Sequence, residues 1–292
     1  MHFVDAKGIL TGSGGRYGMN IYRGCTHGCI YCDSRSSCYQ FAHPFEDVEV
    51  KRNAPELLEA ALRSKRKPCM ISTGSMSDPY MHCEETLRLT RRCLEIILRY
   101  GFGAVVLTKS DRVLRDIDLL DEINRASKCV VQMTLTTADE ELCRIVEPNV
   151  CTTKRRIEVL EELHRRGIPT VVWLSPVLPF INDTEENISA LLSKCVRVGV
   201  KGIVCERDTD EWANKECFTT KLPMIHGADA ARRGQGVLLR RTGQALPRAE
   251  AALYRALREC IFAAKPERKK AHCALPGHLR RSRNTAHARG LL

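Results

Sequence analysis

Residues 22–32 read Tyr22-Arg23-Gly24-Cys25-Thr26-His27-Gly28-Cys29-Ile30-Tyr31-Cys32, a C-x3-C-x2-C spacing folded into one short loop. The chain holds 15 cysteines. Single ones such as Cys93, Cys129 and Cys195 lie in periodic apolar stretches, where a thiol behaves as a small hydrophobe. The clustered three need another account. A cubane iron–sulfur cluster has four irons, and cysteine thiolates ordinarily take all of them. Three cysteines on one loop hold three irons and leave one open to a small chelating ligand, as catalytic metal sites keep a vacant position. Gly24 and Gly28 let the backbone wrap closely. Two other readings compete: a zinc site with Cys38, His27 or His43 as fourth ligand, and three unligated core thiols. Structural zinc usually joins two knuckles at a distance, and no second knuckle follows here. The polar, glycine-bearing text argues against inert buried thiols.

Outward from this loop, short β-rich runs alternate with longer helical patterns. The expected strands are Met19–Tyr22, Cys69–Thr73, Ala104–Thr108, Val130–Thr136, Thr170–Leu174 and Gly202–Cys205. The expected helices are Pro55–Lys65, Glu84–Tyr100, Asp111–Ala126, Thr152–Arg166 and Thr184–Val198. Val105-Val106-Leu107 and Val171-Val172-Trp173-Leu174 are continuously apolar, the pattern of strands covered on both faces in a parallel sheet. Six such units predict an α/β fold, a partial (β/α)6 TIM-type barrel, with a doubly wound open sheet as the competitor. Polar residues gather just after several strands, at Ser72–Asp78, Thr108–Asp111 and Thr134–Thr137. Strand C-termini carry barrel active sites, so these loops are expected to converge.

The C-x3-C-x2-C motif with an aromatic residue before its last cysteine resembles the signature of the radical S-adenosylmethionine (SAM) superfamily. The wider text Gly24–Arg35, with Thr73-Gly74-Ser75-Met76-Ser77-Asp78-Pro79-Tyr80, Thr108-Lys109-Ser110-Asp111 and Leu178-Pro179-Phe180-Ile181-Asn182-Asp183, resembles its spore photoproduct lyase and DNA-repair-photolyase-like branch. The likeness runs from about Lys7 to Cys205. It implies a radical SAM core barrel holding a 4Fe-4S cluster and S-adenosyl-L-methionine. An electron from an external reductant of the flavodoxin or ferredoxin type would cleave the cofactor to a 5′-deoxyadenosyl radical, which abstracts hydrogen from substrate. Carried over residue by residue, Cys25, Cys29 and Cys32 are cluster ligands and Tyr31 lies near the adenine. Ser77 and Asp78 meet the amino acid end of the cofactor, Lys109 pairs with its carboxylate, and Thr136 contacts the ribose. The chain departs from the lyase at Ser75, which stands where that enzyme has its hydrogen-donating cysteine. Cys69 and Cys83 lie in the same region. Arg35 is read as meeting either an anionic substrate or solvent, and Asp116 and Asp118 as solvent-facing or paired along a helix.

The chain of 292 residues is 43% hydrophobic and 28% charged, which excludes a disordered protein. No apolar run reaches the ~18 residues of a membrane helix, and Met1–Lys7 lacks the basic-then-apolar pattern of a secretory signal. The expectation is a soluble, cytoplasmic protein with no membrane partner. Residues 206–292 hold 18 Lys+Arg against 9 Asp+Glu, so most of the formal net charge of +11 belongs to this segment. The expected division is therefore a core barrel at 1–205 and a divergent basic segment at 206–292. That segment is partly helical (Ala249–Phe262) or disordered, with its last thirty residues unstructured. The abrupt change of text after Cys205 reads as a shift of reading frame near residue 206, which resequencing the locus tests. Three functions compete: a radical SAM enzyme with a nucleic-acid lesion as substrate by analogy, a non-catalytic metal- or nucleic-acid-binding module, and an inactive relative.

Overall fold

The continuously apolar runs stand side by side as parallel strands, as burial on both faces requires. The structure, a computed structural model, describes residues 1–36, 39–178, 181–207 and 271–274. The chain opens with β1 (His2–Val4), β2 (Leu10–Ser13), β3 (Arg16–Met19), β4 (Tyr22–Arg23) and β5 (Glu49–Lys51), followed by α1 (Ala54–Arg63). Alternation then sets in with β6 (Met70–Thr73), α2 (Glu84–Leu87), α3 (Leu89–Arg99), β7 (Gly103–Thr108), α4 (Ile117–Ala126) and β8 (Cys129–Thr134). It continues through α5 (Glu140–Val146), α6 (Thr153–Arg165), β9 (Thr170–Val177), α7 (Glu185–Arg197), β10 (Gly202–Arg207) and β11 (Ala271–Ala274).

Strands β3, β6, β7, β8, β9 and β10 pair in parallel and in that order. A doubly wound sheet reverses its strand succession at a switch point; this sheet does not, and its sequential order is that of a partial (β/α)6 barrel. β2 and β11 add antiparallel strands at the two ends. A separate small sheet, β1-β5-β4, carries the chain into the cysteine loop. The helices bury Leu58, Leu94, Leu120, Leu160 and Leu191 against strand residues Ile71, Val106, Val131, Val172 and Ile203. Cys93, Cys129 and Cys195 pack among them as small apolar groups. Among the described residues no helix is long and apolar enough to cross a membrane.

Several expected boundaries shift. The run Met19–Tyr22 is divided: Met19 ends β3 in the barrel, and Tyr22 begins β4 in the small sheet. The expected helix over Glu84–Tyr100 breaks at Arg88, whose φ is 50°. There the Glu84 carboxylate accepts the Thr90 N–H at 2.7 Å, taking the place of a partner in the helix ladder. Residues 111–116 form a 3-10 turn ahead of α4. Helix α5 was not anticipated; Asp139 caps it by accepting from the N–H groups of Glu141 and Leu142. β10 runs to Arg207, beyond the expected boundary at 205. The last thirty residues were expected to be unstructured, yet β11 lies within them and covers the open edge of β10. The expected helix Ala249–Phe262 lies outside the described residues.

Candidate metal centre

The cysteine loop leaves β4 and is held by backbone contacts from two directions. Cys25 N–H donates to Phe45 O at 3.2 Å. Gly24 has φ +89°, and a Cβ there would stand 2.4 Å from that same carbonyl. On the other side the segment Val146-Glu147-Pro148-Asn149 grips the loop. Ile30 N–H donates to Val146 O at 3.0 Å and Asn149 N–H to His27 O at 3.1 Å, while Asn149 Nδ2 donates to Thr26 O at 3.0 Å. Gly28, at φ +71°, leaves room for that asparagine; a Cβ would stand 3.0 Å from its Nδ2. Both glycines are thus required by close approach, and what approaches is the protein's own backbone and side chains.

Cys29 is buried, and Cys25 and Cys32 are half-buried. Burial, reinforced by Asp78, pushes the Cys25 thiol up to about 12. Burial also raises Cys29 and Cys32, with the Lys109 ammonium pulling the other way. A cationic metal group that exchanged for these protons would relieve that penalty.

Of the other expected residues, Asp78 is committed internally. Its Oδ1 accepts from Tyr80 N–H at 2.8 Å and Thr108 Oγ1 at 2.7 Å, and its Oδ2 accepts from Lys109 N–H at 2.7 Å. His27 Nδ1 lies 3.5 Å from the same Oδ2, and burial outweighs Asp78 in holding that imidazole below its usual pKa. Asp78 thereby ties together β6's loop, the end of β7 and the cysteine loop. Lys109 Nζ stands 5.7 Å from the centre of the Tyr31 ring. Burial opposes its charge, but Cys29 and Glu147 outweigh this and hold its pKa above the ordinary value. Tyr31 donates its hydroxyl to Glu147 Oε1, and Thr136 Oγ1 donates to the same oxygen at 2.8 Å. Tyr31 and Thr136, expected separately, are brought together by a carboxylate the sequence reading passed over.

Glu147 is 1% exposed and Arg156 is 0% exposed. Arg156 Nη1 donates to Glu147 Oε2 at 2.7 Å and to Thr134 O at 3.1 Å. Burial works against the Glu147 charge, but Arg156, then Lys109, then the two hydroxyl donors bring its pKa down to about 2. The sequence signal is local: Glu147 follows the last residue of α5, just before Pro148 and after a barrel strand.

Buried polar atoms without a hydrogen-bond partner include Thr26 Oγ1 and His27 Nε2 in the cysteine loop, Ser77 Oγ in the loop after β6, and Nε and Nη2 of Arg156, the partner of Glu147. Buried polar groups are almost always satisfied, so a concentration of exceptions marks a place where a polar ligand belongs. Three thiols, cationic neighbours and these waiting donors suit a thiolate-bound iron–sulfur group with a polar, partly anionic ligand beside it.

The remaining expectations are placed as follows. His43 Nε2 lies 2.8 Å from Glu49 Oε1 on the small sheet, in a separate side-chain group; Cys38 lies outside the described residues. Ser75 is exposed, its Oγ 3.5 Å from Asn20 Oδ1. Cys69 precedes β6, at the opposite end of the strand from the converging loops. Cys151 is nearer, its Sγ 3.1 Å from Lys109 O. Arg35 pairs with Glu46 and lies 4.6 Å over the Phe45 ring. Asp118 pairs with Arg91 at the surface as expected. Asp116, however, is fully buried, held there by Arg91, Arg115 and Tyr80.

The profile of the radical SAM superfamily matches residues 19–192. An uncharacterized protein of Methanocaldococcus jannaschii is 33% identical over 174 residues, covering 59% of this chain and 64% of that one. A radical SAM Nalpha-GlyT isomerase of Pseudomonas phage M6 is 25% identical over 199 residues, covering 68% of this chain and 39% of its own. The chain therefore spans less than two thirds of the length of these relatives. Among solved structures, a spore photoproduct lyase variant with bound AdoMet and dinucleoside spore photoproduct aligns with TM-score 0.51 and 14% identity, covering 71% of this chain and 61% of that one. This last likeness concerns the fold.

Proposed function

The chain belongs to the radical SAM superfamily, whose members bind a 4Fe-4S cluster and S-adenosylmethionine, and from that premise we propose that it is an enzyme acting by hydrogen abstraction. When bound, cluster and cofactor together supply a 5′-deoxyadenosyl radical on reduction by an external one-electron donor of the flavodoxin or ferredoxin type. The protein's part is to hold, orient and shield. Cys25, Cys29 and Cys32 bind three irons and leave one corner to the cofactor. The Ser77 hydroxyl and the Lys109 ammonium meet the cofactor's amino acid end. Asp78 keeps Lys109 and His27 in register through the bonds described above. Tyr31 and Thr136, both fastened to Glu147, line the side toward the nucleoside, and the unpaired Arg156 N–H groups add positive potential.

The observation that carries this reading is the three-cysteine loop with partnerless buried polar atoms in the loop itself, at Ser77 and at Arg156. For the substrate, we favour a nucleic-acid component. Gln132, Thr134 and Trp173 lie on the strand face turned away from the helices, and Trp173 Nε1 donates to Gln132 Oε1 at 3.0 Å. An indole on that face suits stacking with a planar base. The dinucleoside named in the lyase complex is in keeping with this choice.

Anaerobic reconstitution with iron and sulfide, followed by reduction in the presence of S-adenosylmethionine, is expected to give a brown protein and 5′-deoxyadenosine. Cys29→Ala is expected to abolish iron incorporation, whereas Cys93→Ala leaves iron content unchanged. A colourless parent protein that holds one zinc per chain through the same cysteines would overturn the reading. Ultraviolet-irradiated DNA, intact DNA and a peptide mixture then compare substrates by stimulation of 5′-deoxyadenosine formation.

A further inference from the structure

The small sheet carries a second group of metal-binding side chains. His2 on β1, His43 in the loop after the cysteines and Glu49 on β5 each offer a ligand atom, all within 4.8 Å of one another. We propose that these three residues bind one divalent transition ion of the zinc class, at a site separate from the cysteine loop.

The chemistry of the donors selects the ion. Two imidazoles with one carboxylate suit zinc and its borderline neighbours, while calcium and magnesium prefer oxygen alone. The surroundings of the rings are those of metal-binding histidines, which as a rule donate their second ring N–H to a carboxylate or a backbone carbonyl. His2 Nδ1 lies 3.0 Å from Asp47 Oδ2, and His43 Nδ1 lies 3.0 Å from Pro44 O. Both contacts anchor Nδ1 and leave Nε2 as the ligand atom. In His43 that nitrogen already stands 2.8 Å from Glu49 Oε1. The two rings meet edge to face, their centres 4.9 Å apart.

The cations to reckon with are Arg23, whose Nη1 donates to Glu49 Oε1 at 2.8 Å, Lys51, whose Nζ is turned to Asn20 O at 2.8 Å, and the N-terminal ammonium, 2.9 Å from Asp47 Oδ1. The Arg23 guanidinium also lies 4.4 Å over the Phe41 ring and donates to the carbonyls of Tyr39 and Gln40. These contacts brace one oxygen of Glu49 and leave Oε2 for the ion, and Asp47, whose other oxygen pairs with the N-terminal ammonium, holds His2 Nδ1. An ion here joins three segments that are remote in sequence: β1, the loop over residues 41–47, and β5. That loop also supplies Phe45 O to the Cys25 N–H, so the ion fastens the scaffold from which the cysteine loop departs.

The test uses the full chain with Cys25, Cys29 and Cys32 all replaced by Ala, titrated with Co2+. The expected result is one cobalt per chain, with weak visible bands of a nitrogen–oxygen set and no sulfur-to-cobalt charge transfer. Adding His43→Ala or Glu49→Gln removes this binding. Asp47→Asn, which takes away the support behind His2, weakens it about tenfold or more. His2→Ala provides the second ligand variant should His43→Ala alter the far-ultraviolet dichroism. Stoichiometric cobalt retained in both His2→Ala and His43→Ala overturns the proposal, as does binding only through thiolate or no binding to the parent.

Discussion

Two groups of charged side chains, one built around α2 and the turn before α4, the other around the end of α5 and α6, share residue types and are finished differently. In the first, Glu84 and Asp116 are both 0% exposed. Glu84 accepts from Tyr22, from Thr90 N–H and from Arg115, and Asp116 accepts from Arg91, Arg115 and Tyr80. Each carboxylate oxygen has a donor, and Arg115 also donates to Glu84 O. In the second, Glu147 is equally well served by Arg156, Tyr31 and Thr136, but Arg156 keeps two N–H positions without partners. A closed network serves stability and specificity; an open one is a network missing a member. The difference separates scaffold from site more sharply than carboxylate burial does, because Glu84, Asp116 and Glu147 are all almost fully buried.

The largest effect expected is on the closed side. Glu84→Ala leaves the buried Tyr22 hydroxyl and Thr90 N–H without their acceptor, while Arg115 keeps Asp116, and should cost about 3–5 kcal/mol in urea unfolding, the sum for two stranded buried donors. Iron content of the folded fraction should stay unchanged. A variant that kept its stability and lost iron would reverse the assignment of the two networks.

On the open side, Arg156→Met alone strands the Glu147 carboxylate and should cost about the same, 3–5 kcal/mol. Adding Glu147→Gln neutralises the stranded charge, and the double variant is expected to regain most of that stability, since replacing a whole buried pair is often nearly neutral. Its affinity for S-adenosylmethionine should remain low. Recovery of stability without recovery of binding marks Arg156 as a residue whose free N–H groups matter to a ligand. A double variant as unstable as the single one would make this pair a second structural network.

Acid sharpens the same contrast. The Glu147 carboxyl is held at about 2, below its ordinary value of 4.5. A depressed carboxylate pKa means that the unfolded chain binds the proton first. The stability Glu147 contributes is therefore complete above about pH 4.5 and drains away as pH falls towards 2. In Glu147→Gln the decline of stability between these limits should be shallower than in the parent, measured by denaturant midpoints across the acid range. Identical acid limbs would remove Glu147 from the groups that titrate on unfolding.

What was legible in the chain follows from how local each signal is. The cysteine spacing lies within eight residues, and the apolar strands announce themselves by composition, so the barrel order and the loop were readable. Glu147 and Arg156 were not, because each looks like an ordinary charged residue until the fold brings it to Tyr31 and Thr136. Asp116 was misread for the same reason: in Arg115-Asp116-Ile117-Asp118 it resembles a solvent-facing acid, and only Tyr80, Arg91 and Arg115 make its burial tolerable. The break at Arg88 escaped as well, since an apolar period runs through it undisturbed while a side chain six residues from Thr90 supplies the competing hydrogen bond.

The smallest effect tests the comparison at the level of one hydroxyl. Thr90 Oγ1 belongs to the surroundings of the closed network and donates to Pro79 O at 2.7 Å. Thr90→Val deletes a satisfied buried donor and should cost about 1–2 kcal/mol, because the carbonyl is left behind unpaired. Ser77 is buried to a similar degree, yet its Oγ has no partner. Ser77→Ala removes a group whose burial is uncompensated, so the ligand-free protein should be unchanged or more stable by up to about 1 kcal/mol. If that hydroxyl waits for the cofactor, the same substitution should weaken S-adenosylmethionine binding by about fivefold, the equivalent of one ordinary hydrogen bond. Opposite signs for stability and binding at one atom cannot come from packing alone. A Ser77→Ala protein that lost stability and bound the cofactor normally would show that the hydroxyl serves the fold, and the unpaired donors around the cysteines would then need another explanation.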